Sequence, residues 1–237
     1  DLADLVLIDP RSQRDEPVAG PAMHDPDRSA LGADQRAWLF DTLRSSTARW
    51  RLLANPSILS ATSHPNLPDD PELAQALLKL KLVDPEGSGQ LDHDQWEGYP
   101  AERAAVLDAL DELDDVVVLS GDIHVGIAAE LHRDPWASTE HPVAVELVAP
   151  SVTSQNLDDK LGYPAGGSRA VADRFTVTHP HVHWADFDGH GYVLVDLDRE
   201  QLRASWWFVD EVLRPSYFEQ CVARFTVKRG SRTLVEE

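Results

Sequence analysis

The sequence predicts a layered α/β or α+β fold. In the first half of the chain, short apolar runs alternate with helical patterns, which favours a sheet covered by helices. The run Val116–Leu119 is apolar without interruption, as is typical of a strand buried on both faces. The second half is mostly strand-like, and no linker or change of composition divides the chain. We therefore expect residues 1–237 to form a single domain.

The first half of the chain predicts two strands and an amphipathic helix. Leu5–Ile8 is a short apolar run that delivers polar residues at its end. Residues 32–45 carry apolar side chains at helical spacing, which predicts an amphipathic helix. Trp50–Ala54 predicts a second strand, closed by Asn55-Pro56. Loops are expected at residues 15–30, 60–72 and 84–99, where turn-forming residues cluster.

The rest of the chain predicts further helices and strands. Residues 72–82 favour a short helix, and residues 101–113 favour a longer one with Pro100 in its first turn. That longer helix is expected to bury Val106, Leu107, Leu110 and Leu113. Strands are predicted at 116–119, 127–132, 143–148, 191–197 and 202–209. The aromatic run Trp206-Trp207-Phe208 is more typical of a core than of a binding platform.

Charge and composition exclude several classes of function. Twenty-one basic and 41 acidic residues give a formal charge of −20, so binding to nucleic acid or to an anionic membrane surface is not expected. No apolar stretch is long enough to span a membrane. The single cysteine, Cys221, rules out an intrachain disulfide and a zinc site built on cysteines. The chain opens at Asp1 without Met or a signal peptide, so any targeting segment is expected upstream.

The segment Gly121-Asp122-Ile123-His124 is the sharpest candidate site. It follows the buried run, and ligands of layered α/β proteins gather beyond the carboxyl ends of strands. A carboxylate and an imidazole two residues apart are suited to one metal cation. In the structural alternative, the aspartate caps the following turn and the histidine bonds the backbone. The residues alone leave both interpretations open.

Two arginines follow the first predicted strand. Arg11 and Arg14 are suited to bidentate capture of a phosphate or a carboxylate. The alternative is a surface network of ion pairs with Asp9 and Asp15. Spacing does not decide between the two.

Aromatic and histidine-rich segments are further candidates. The stretch 94–103 contains Trp96 and Tyr99 and is suited to a site wall or a lid, or else to a packed loop anchored by its tryptophan. The alternate histidines of 179–183 share one face of an extended segment and could bind a metal, or else form a solvated loop.

Several common chemistries are absent from the sequence. It has no Gly-x-Ser-x-Gly nucleophile elbow, no phosphate-binding loop of the Gly-x-x-x-x-Gly-Lys type and no Gly-x-Gly-x-x-Gly motif. No EF-hand spacing is present either.

Taken in order, several segments resemble the C-terminal half of the alkaline phosphatase D (PhoD-like) phosphatases, a branch of the calcineurin-like metallophosphoesterases. The matching segments are Leu7–Asp15, Leu31–Leu39, Trp50–Asn55, Gln95–Arg103, Val118–His124 and Glu146–Ser154, followed by Pro180-His181 and Gly191-Tyr192. No single motif decides the resemblance, which rests on their ordered sum.

The resemblance implies a four-layer α/β/β/α sandwich and a metal-dependent phosphoric ester hydrolase, acting on monoesters or diesters through a metal-bound hydroxide. Asp122 and His124 would bind metal, namely iron, manganese or zinc, with calcium at a neighbouring position. Arg11 and Arg14 would stabilise the phosphoryl group, and His181 matches a Pro-His segment that reaches the site. Trp96 and Tyr99 would contact substrate. Relatives are often exported, which favours an extracytoplasmic location.

The sequence also departs from the family pattern. Pro10 and Gln13 stand where relatives usually carry Thr and Tyr, so an aromatic wall is expected to be missing. The first metal motifs of the family lie upstream of the matched half. We therefore expect the upstream half of the same polypeptide to complete the site. The alternative is a PhoD-like fold that serves as a binding module without turnover.

Overall fold

The computed structural model describes residues 1–62, 71, 74–75, 94–137, 141–215 and 218–237. Within these residues, ten strands form a six-stranded sheet and a four-stranded sheet. The strands of the larger sheet are β1 (Ala3–Leu7), β2 (Trp50–Ala54), β3 (Val116–Ser120), β4 (Gly126–Leu131), β5 (Ala144–Val148) and β6 (Val182–Asp186). Those of the smaller sheet are β7 (His190–Leu197), β8 (Gln201–Val209), β9 (Glu219–Lys228) and β10 (Val235–Glu236).

Strand direction in the larger sheet brings three loops to one edge. Its order is β1-β2-β3-β5-β4-β6, in which β1, β2, β3 and β5 run parallel and β4 is antiparallel to both of its neighbours. Leu7 lies opposite Ala54, and Ala54 lies opposite Leu119. The residues that follow β1, β2 and β3 therefore meet beyond the same carboxyl edge.

The smaller sheet is antiparallel, in the order β10-β9-β8-β7, and packs face to face on the larger one. Alternate residues of β8, Leu202, Ala204 and Trp206, enter the shared core because side chains of a strand alternate between its faces. The core also contains Trp50 and Val145 from the larger sheet. Trp206 Nε1 donates to the carbonyl oxygen of Val148 at 2.9 Å, which joins the two sheets by a hydrogen bond.

Helices cover the opposite face of the larger sheet. They are α1 (Ala33–Ser45), α2 (Pro100–Asp111), α3 (Leu157–Leu161) and α4 (Arg169–Thr178), with short 3-10 helices at Gly20–His24 and Trp96–Gly98. α1 and α2 bury Leu39, Leu43, Val106, Leu107 and Leu110 against β1 to β3. α3 and α4 bury Leu157, Val171 and Phe175 against β4 and β6. α3 begins with a capping box between Asn156 and Asp159.

The predicted α/β class is confirmed. Among the described residues, the helices share hydrophobic clusters with the larger sheet and not with the smaller one, so these residues form three of the four expected layers. The predicted helices at 32–45 and 101–113 and the predicted strands are present within one or two residues, whereas the expected helix at 72–82 lies outside the described residues except for 74–75, which are helical. The pattern missed α3, α4, β6, β9 and β10. No helix of the described part has the length and apolar character needed to cross a membrane.

Candidate functional site

The carboxyl edge of the larger sheet holds a cleft and a cluster of charged side chains. The cleft has a volume of about 540 Å³. It is lined by Leu7, Ile8, Asp9, Gln35, Ala54, Asn55, Pro56, Leu119, Ser120 and Gly121. These residues lie at or just after the ends of β1, β2 and β3 and on α1. The cleft adjoins the loop after β1 that contains Arg11 and Arg14, here called the arginine loop, and it includes the first residue of the segment 121–124.

The turn after β1 directs the two arginines. The carboxylate of Asp9 accepts the backbone N–H groups of Arg11 and Ser12 at 2.9 and 3.0 Å. Hydrogen bonds from Ser12 and from the Arg11 backbone keep the pKa of Asp9 below its usual value. The side-chain amide of Gln35, on α1, bonds both backbone polar groups of Asp9. Its Oε1 accepts the Asp9 N–H at 2.7 Å, and its Nε2 donates to the Asp9 carbonyl oxygen at 2.8 Å. α1 thereby fixes the backbone that precedes Arg11.

Arg11 and Arg14 converge on two carboxylates that are distant in sequence. Arg11 Nη2 donates to Asp122 Oδ2 at 2.9 Å, while its Nη1 makes a close ion pair with Asp94 Oδ2. Arg14 Nη2 lies 2.5 Å from Asp94 Oδ1, and its Nη1 donates to the Asp94 carbonyl oxygen at 3.0 Å. Partial burial disfavours the ionised Asp94, yet the hydrogen bonds and charges of both arginines outweigh it and lower the pKa of Asp94. Both arginines thus link the loop after β1 to Asp94, and Arg11 also links it to the segment 121–124.

The segment 121–124 has an unusual backbone. Asp122 and His124 adopt φ angles of 73° and 61°, in the left-handed region that non-glycine residues rarely occupy. The N–H of Ile123 donates to the carbonyl oxygen of Gly121 at 2.9 Å, which closes a tight turn. Such conformations cost energy and cluster at functional sites. The turn follows β3 directly, as the sequence predicts.

Asp122 and His124 have donor atoms suited to a metal ion. His124 Nδ1 lies 2.8 Å from the carbonyl oxygen of Gln155, so in the neutral ring Nδ1 carries the proton and Nε2 carries the lone pair. Metal-binding histidines are commonly oriented by such a bond. Within the described part of the chain, hydrogen bonds to Asp122 reach Oδ2, which leaves Oδ1 for a ligand. Within this part of the chain, no group of three or more His, Cys, Asp or Glu residues could hold a metal, so Asp122 and His124 could form no more than part of a coordination shell.

The structure places His181 in the core. Its side chain is 2% exposed, and Nε2 lies 2.6 Å from the carbonyl oxygen of Ala61. Burial and the neighbouring His179 lower its pKa to about 3, so the ring is neutral. His179 is also buried, with Nε2 at 3.0 Å from the Thr62 carbonyl oxygen. This disagrees with the predicted catalytic contact of His181, because a buried neutral ring offers no face to a substrate; the two histidines instead anchor the segment after β2.

Trp96 and Tyr99 are also core residues. Their side chains are 1% and 2% exposed. Trp96 Nε1 donates to Asn55 Oδ1 at 3.0 Å, and the Tyr99 hydroxyl donates to the Asp15 carbonyl oxygen at 2.5 Å. The predicted contact of Trp96 and Tyr99 with substrate does not agree with this burial. The packed-loop alternative describes the segment better.

Three residues of the site carry no role in the sequence-based prediction. Asp94 receives both arginines, Gln95 Nε2 donates to Asp122 Oδ2 at 2.5 Å, and Gln35 holds Asp9. Asp94 and Gln95 belong to the aromatic segment, and Gln35 lies on the amphipathic helix. Spacing alone does not single out any of them, because each meets its partner only through the fold.

Comparison with protein families decides the affiliation. The family model of PhoD-like phosphatases matches residues 1–206. This chain belongs to the PhoD-like phosphatase family. The match includes the arginine loop and the segment 121–124, and it ends within β8.

The PhoD-like chain is similar to part of two longer proteins. It is 28% identical over 242 residues to alkaline phosphatase D of Bacillus subtilis (strain 168), covering 98% of this chain and 37% of that protein. The solved structure entitled "Structure of PhoD" matches with a TM-score of 0.78 and 26% identity, covering 99% of this chain and 42% of that one. The chain therefore spans less than half the length of either relative. PhoD-like phosphatases are in general metal-dependent.

Proposed function

We propose that this chain contributes to the active site of a metal-dependent phosphoric ester hydrolase, acting on phosphomonoesters, phosphodiesters or both. The observation that carries the proposal is the ion pair at 2.9 Å between Arg11 and Asp122. It joins an anion-binding side chain from the end of β1 to a metal-binding side chain from the end of β3. Membership of the PhoD-like family supports the same chemistry.

Asp122 and His124 would hold the metal, through a carboxylate oxygen and Nε2. A bound metal ion activates water as a nucleophile and neutralises phosphoryl charge. A carboxylate with an imidazole suits iron, manganese or zinc, and calcium suits a neighbouring position made of oxygen ligands. The Gln155 carbonyl keeps the proton of His124 on Nδ1, and the strained turn holds both ligands at the mouth of the site.

Arg11 and Arg14 would bind the phosphoryl oxygens. Guanidinium groups suit phosphate because their parallel N–H groups match two oxygens at once. Each arginine now pairs with Asp94, and a phosphate would compete with that carboxylate for the same N–H groups. Gln35 and Asp9 hold the turn in place before the substrate arrives. The arginine N–H groups would therefore stand at fixed positions and stabilise the charge that develops on the phosphoryl oxygens.

The remaining metal ligands would come from another part of the same polypeptide. The chain covers 37% of alkaline phosphatase D from Bacillus subtilis, and the described residues contain no complete ligand group. We propose that residues 1–237 are the C-terminal portion of one PhoD-like domain. The activity is therefore assigned to the gene product that contains this chain.

Arg11 provides the direct test. Hydrolysis of p-nitrophenyl phosphate and bis(p-nitrophenyl) phosphate is measured for the gene product and for R11A. Removing a donor to the developing charge lowers kcat by roughly 100-fold or more. R199A is the matched control, because Arg199 is exposed and pairs with Asp1 at the surface. A gene product that binds phosphate without turnover would support the binding-module alternative, and R11A turnover at the parent rate would contradict the role of Arg11.

A further inference from the structure

Gln95 connects Asp122 to a buried hydrogen-bond network. Its side chain is 4% exposed. Oε1 accepts the N–H of Ile58 at 3.2 Å, and Nε2 donates to Asp122 Oδ2 at 2.5 Å. The N–H of Ile58 can only donate, so it selects the oxygen end of the amide and turns the NH₂ group towards Asp122.

The donor from Ile58 is itself fixed. The next two N–H groups along the chain, those of Leu59 and Ser60, donate to the two carboxylate oxygens of Glu146 at 2.8 and 2.7 Å. Glu146 is fully buried in β5. A buried carboxylate that accepts backbone N–H groups holds that backbone in place, because each bond would be costly to lose. The segment after β2 is therefore a rigid base for Gln95.

The same carboxylate also holds the backbone that leads to Asp122. The hydroxyl of Ser120 donates to Glu146 Oε1 at 2.5 Å and lies two residues before Asp122. Asp122 is thus restrained through its backbone by Ser120 and through its side chain by Gln95. Both restraints lead back to Glu146.

We infer that Gln95 is a positioning residue, which orients the Asp122 carboxylate so that its second oxygen faces the metal. The inference rests on the proposed function, because it requires Asp122 to be a ligand. Gln95 occupies one oxygen together with Arg11 and leaves Oδ1 for coordination. Residues that orient a metal ligand typically change metal affinity by about 10–100-fold when they are replaced.

The test compares Q95M, which keeps the length of the side chain and removes the amide, with the parent gene product. Mn²⁺ affinity is measured by titration, and the visible spectrum of the Co²⁺-loaded protein reports the coordination geometry. Q220M is the matched control, because Gln220 is exposed on β9 in the smaller sheet. We expect Q95M to weaken Mn²⁺ binding roughly 10–100-fold and to alter the Co²⁺ bands, while Q220M matches the parent.

Two further variants separate the possible failures. If D122A binds Mn²⁺ as tightly as the parent, Asp122 is not a ligand, and the proposed site falls together with this inference. If D122A loses Mn²⁺ while Q95M binds it like the parent and shows the parent's Co²⁺ spectrum, the inference is wrong and the proposed site stands. If Q95M does not fold, Q95N serves in its place, since its shorter amide cannot reach both Ile58 and Asp122. Parent-like Mn²⁺ binding in folded Q95N would equally overturn the inference.

Discussion

Arg11 and Arg14 lie on one turn and act in different ways. Arg14 places two nitrogens on one residue, Asp94, through its carboxylate and its carbonyl oxygen. Arg11 divides its nitrogens between Asp94 and Asp122. Arg14 therefore holds Asp94 in place, whereas Arg11 lies between Asp94 and the segment 121–124.

Because Arg14 contacts Asp94 through two nitrogens, we expect lysine at this position to bind substrate less well than arginine. In R14K a single ammonium would replace the planar fork, and one charged hydrogen bond would be lost. We expect KM for p-nitrophenyl phosphate to rise roughly tenfold, equivalent to about 1.5 kcal/mol. The control is R44K, since Arg44 is half exposed and pairs with Glu112 away from the site. An unchanged KM in R14K would show that the fork geometry is unimportant.

Glu146 links three elements beneath the site. Its carboxylate, on β5, accepts from the segment after β2 and from Ser120 at the end of β3. All three partners are donors, so the two carboxylate oxygens accept a hydrogen bond from each of them in a site without solvent. Asn55 extends this network towards α2. Its Nδ2 donates to the Ser120 hydroxyl oxygen, and its Oδ1 accepts from Trp96 Nε1 at 3.0 Å.

Replacement of Glu146 by glutamine should weaken this link. In E146Q an NH₂ group would face an N–H donor, which leaves a buried donor unsatisfied and lowers the free energy of unfolding by about 1–3 kcal/mol. Urea denaturation measures the loss, and hydrogen exchange should become faster at Leu59 and Ser60. E112Q, at an exposed glutamate of the α2 C-cap, should match the parent protein. Equal exchange rates at both amides in E146Q and parent would contradict this role.

The turn between β6 and β7 carries an acidic contact that should respond to pH. Burial and a hydrogen bond with Asp158 raise the pKa of Asp188 to about 6, and the charge of Asp186 acts in the same direction. The folded chain thus holds a proton that the unfolded chain releases near pH 3.8, so this contact's stabilisation is lost as pH rises from about 4 to about 6. D188N mimics the protonated form, and we expect it to be more stable than the parent at pH 7.5 but not at pH 4. Urea denaturation at both pH values measures the difference in stability between D188N and the parent. If that difference is the same at pH 4 and pH 7.5, Asp188 does not hold the extra proton through its contact with Asp158.

The two sheets of the whole molecule are joined by an aromatic core. Trp206 is fully buried, packs edge-on against Phe225 and bonds the carbonyl oxygen of Val148 across the sheets. The site lies at the edge of the larger sheet, so its geometry depends on how that sheet is held. Loss of this contact should loosen the whole packing rather than one loop.

Trp206 therefore predicts a large effect on stability. W206A should lower the free energy of unfolding by about 3–5 kcal/mol, because it leaves a cavity and removes the indole donor to the Val148 carbonyl oxygen. W38A is the matched control, since Trp38 is half exposed on α1. We expect W38A to lower the free energy of unfolding much less than W206A. Urea denaturation measures both variants. Similar decreases in the free energy of unfolding of the two variants would show that Trp206 does not stabilise the core.

Local patterns predicted much of the fold and part of the candidate site. Val116–Leu119 reads as a buried strand because its apolar run is continuous, and the turn that presents Asp122 follows from it. An anion-binding role for Arg11, suggested by its place after β1, stays a prediction; the structure shows its guanidinium paired with Asp94 and Asp122. Gln95 and Glu146 could not be predicted, because their roles depend on partners 27 and 86–87 residues away in sequence. The contacts proposed for Trp96 and His181 were misplaced because aromatic and imidazole rings suit a core as well as a site.

The proposed function depends on metal binding by Asp122 and His124. Elemental mass spectrometry of the purified gene product, beside its D122A/H124A variant, tests this binding. We expect bound metal in the parent protein and its loss in the variant, with folding retained by circular dichroism. Equal metal content in the two folded proteins would show that Asp122 and His124 are not metal ligands.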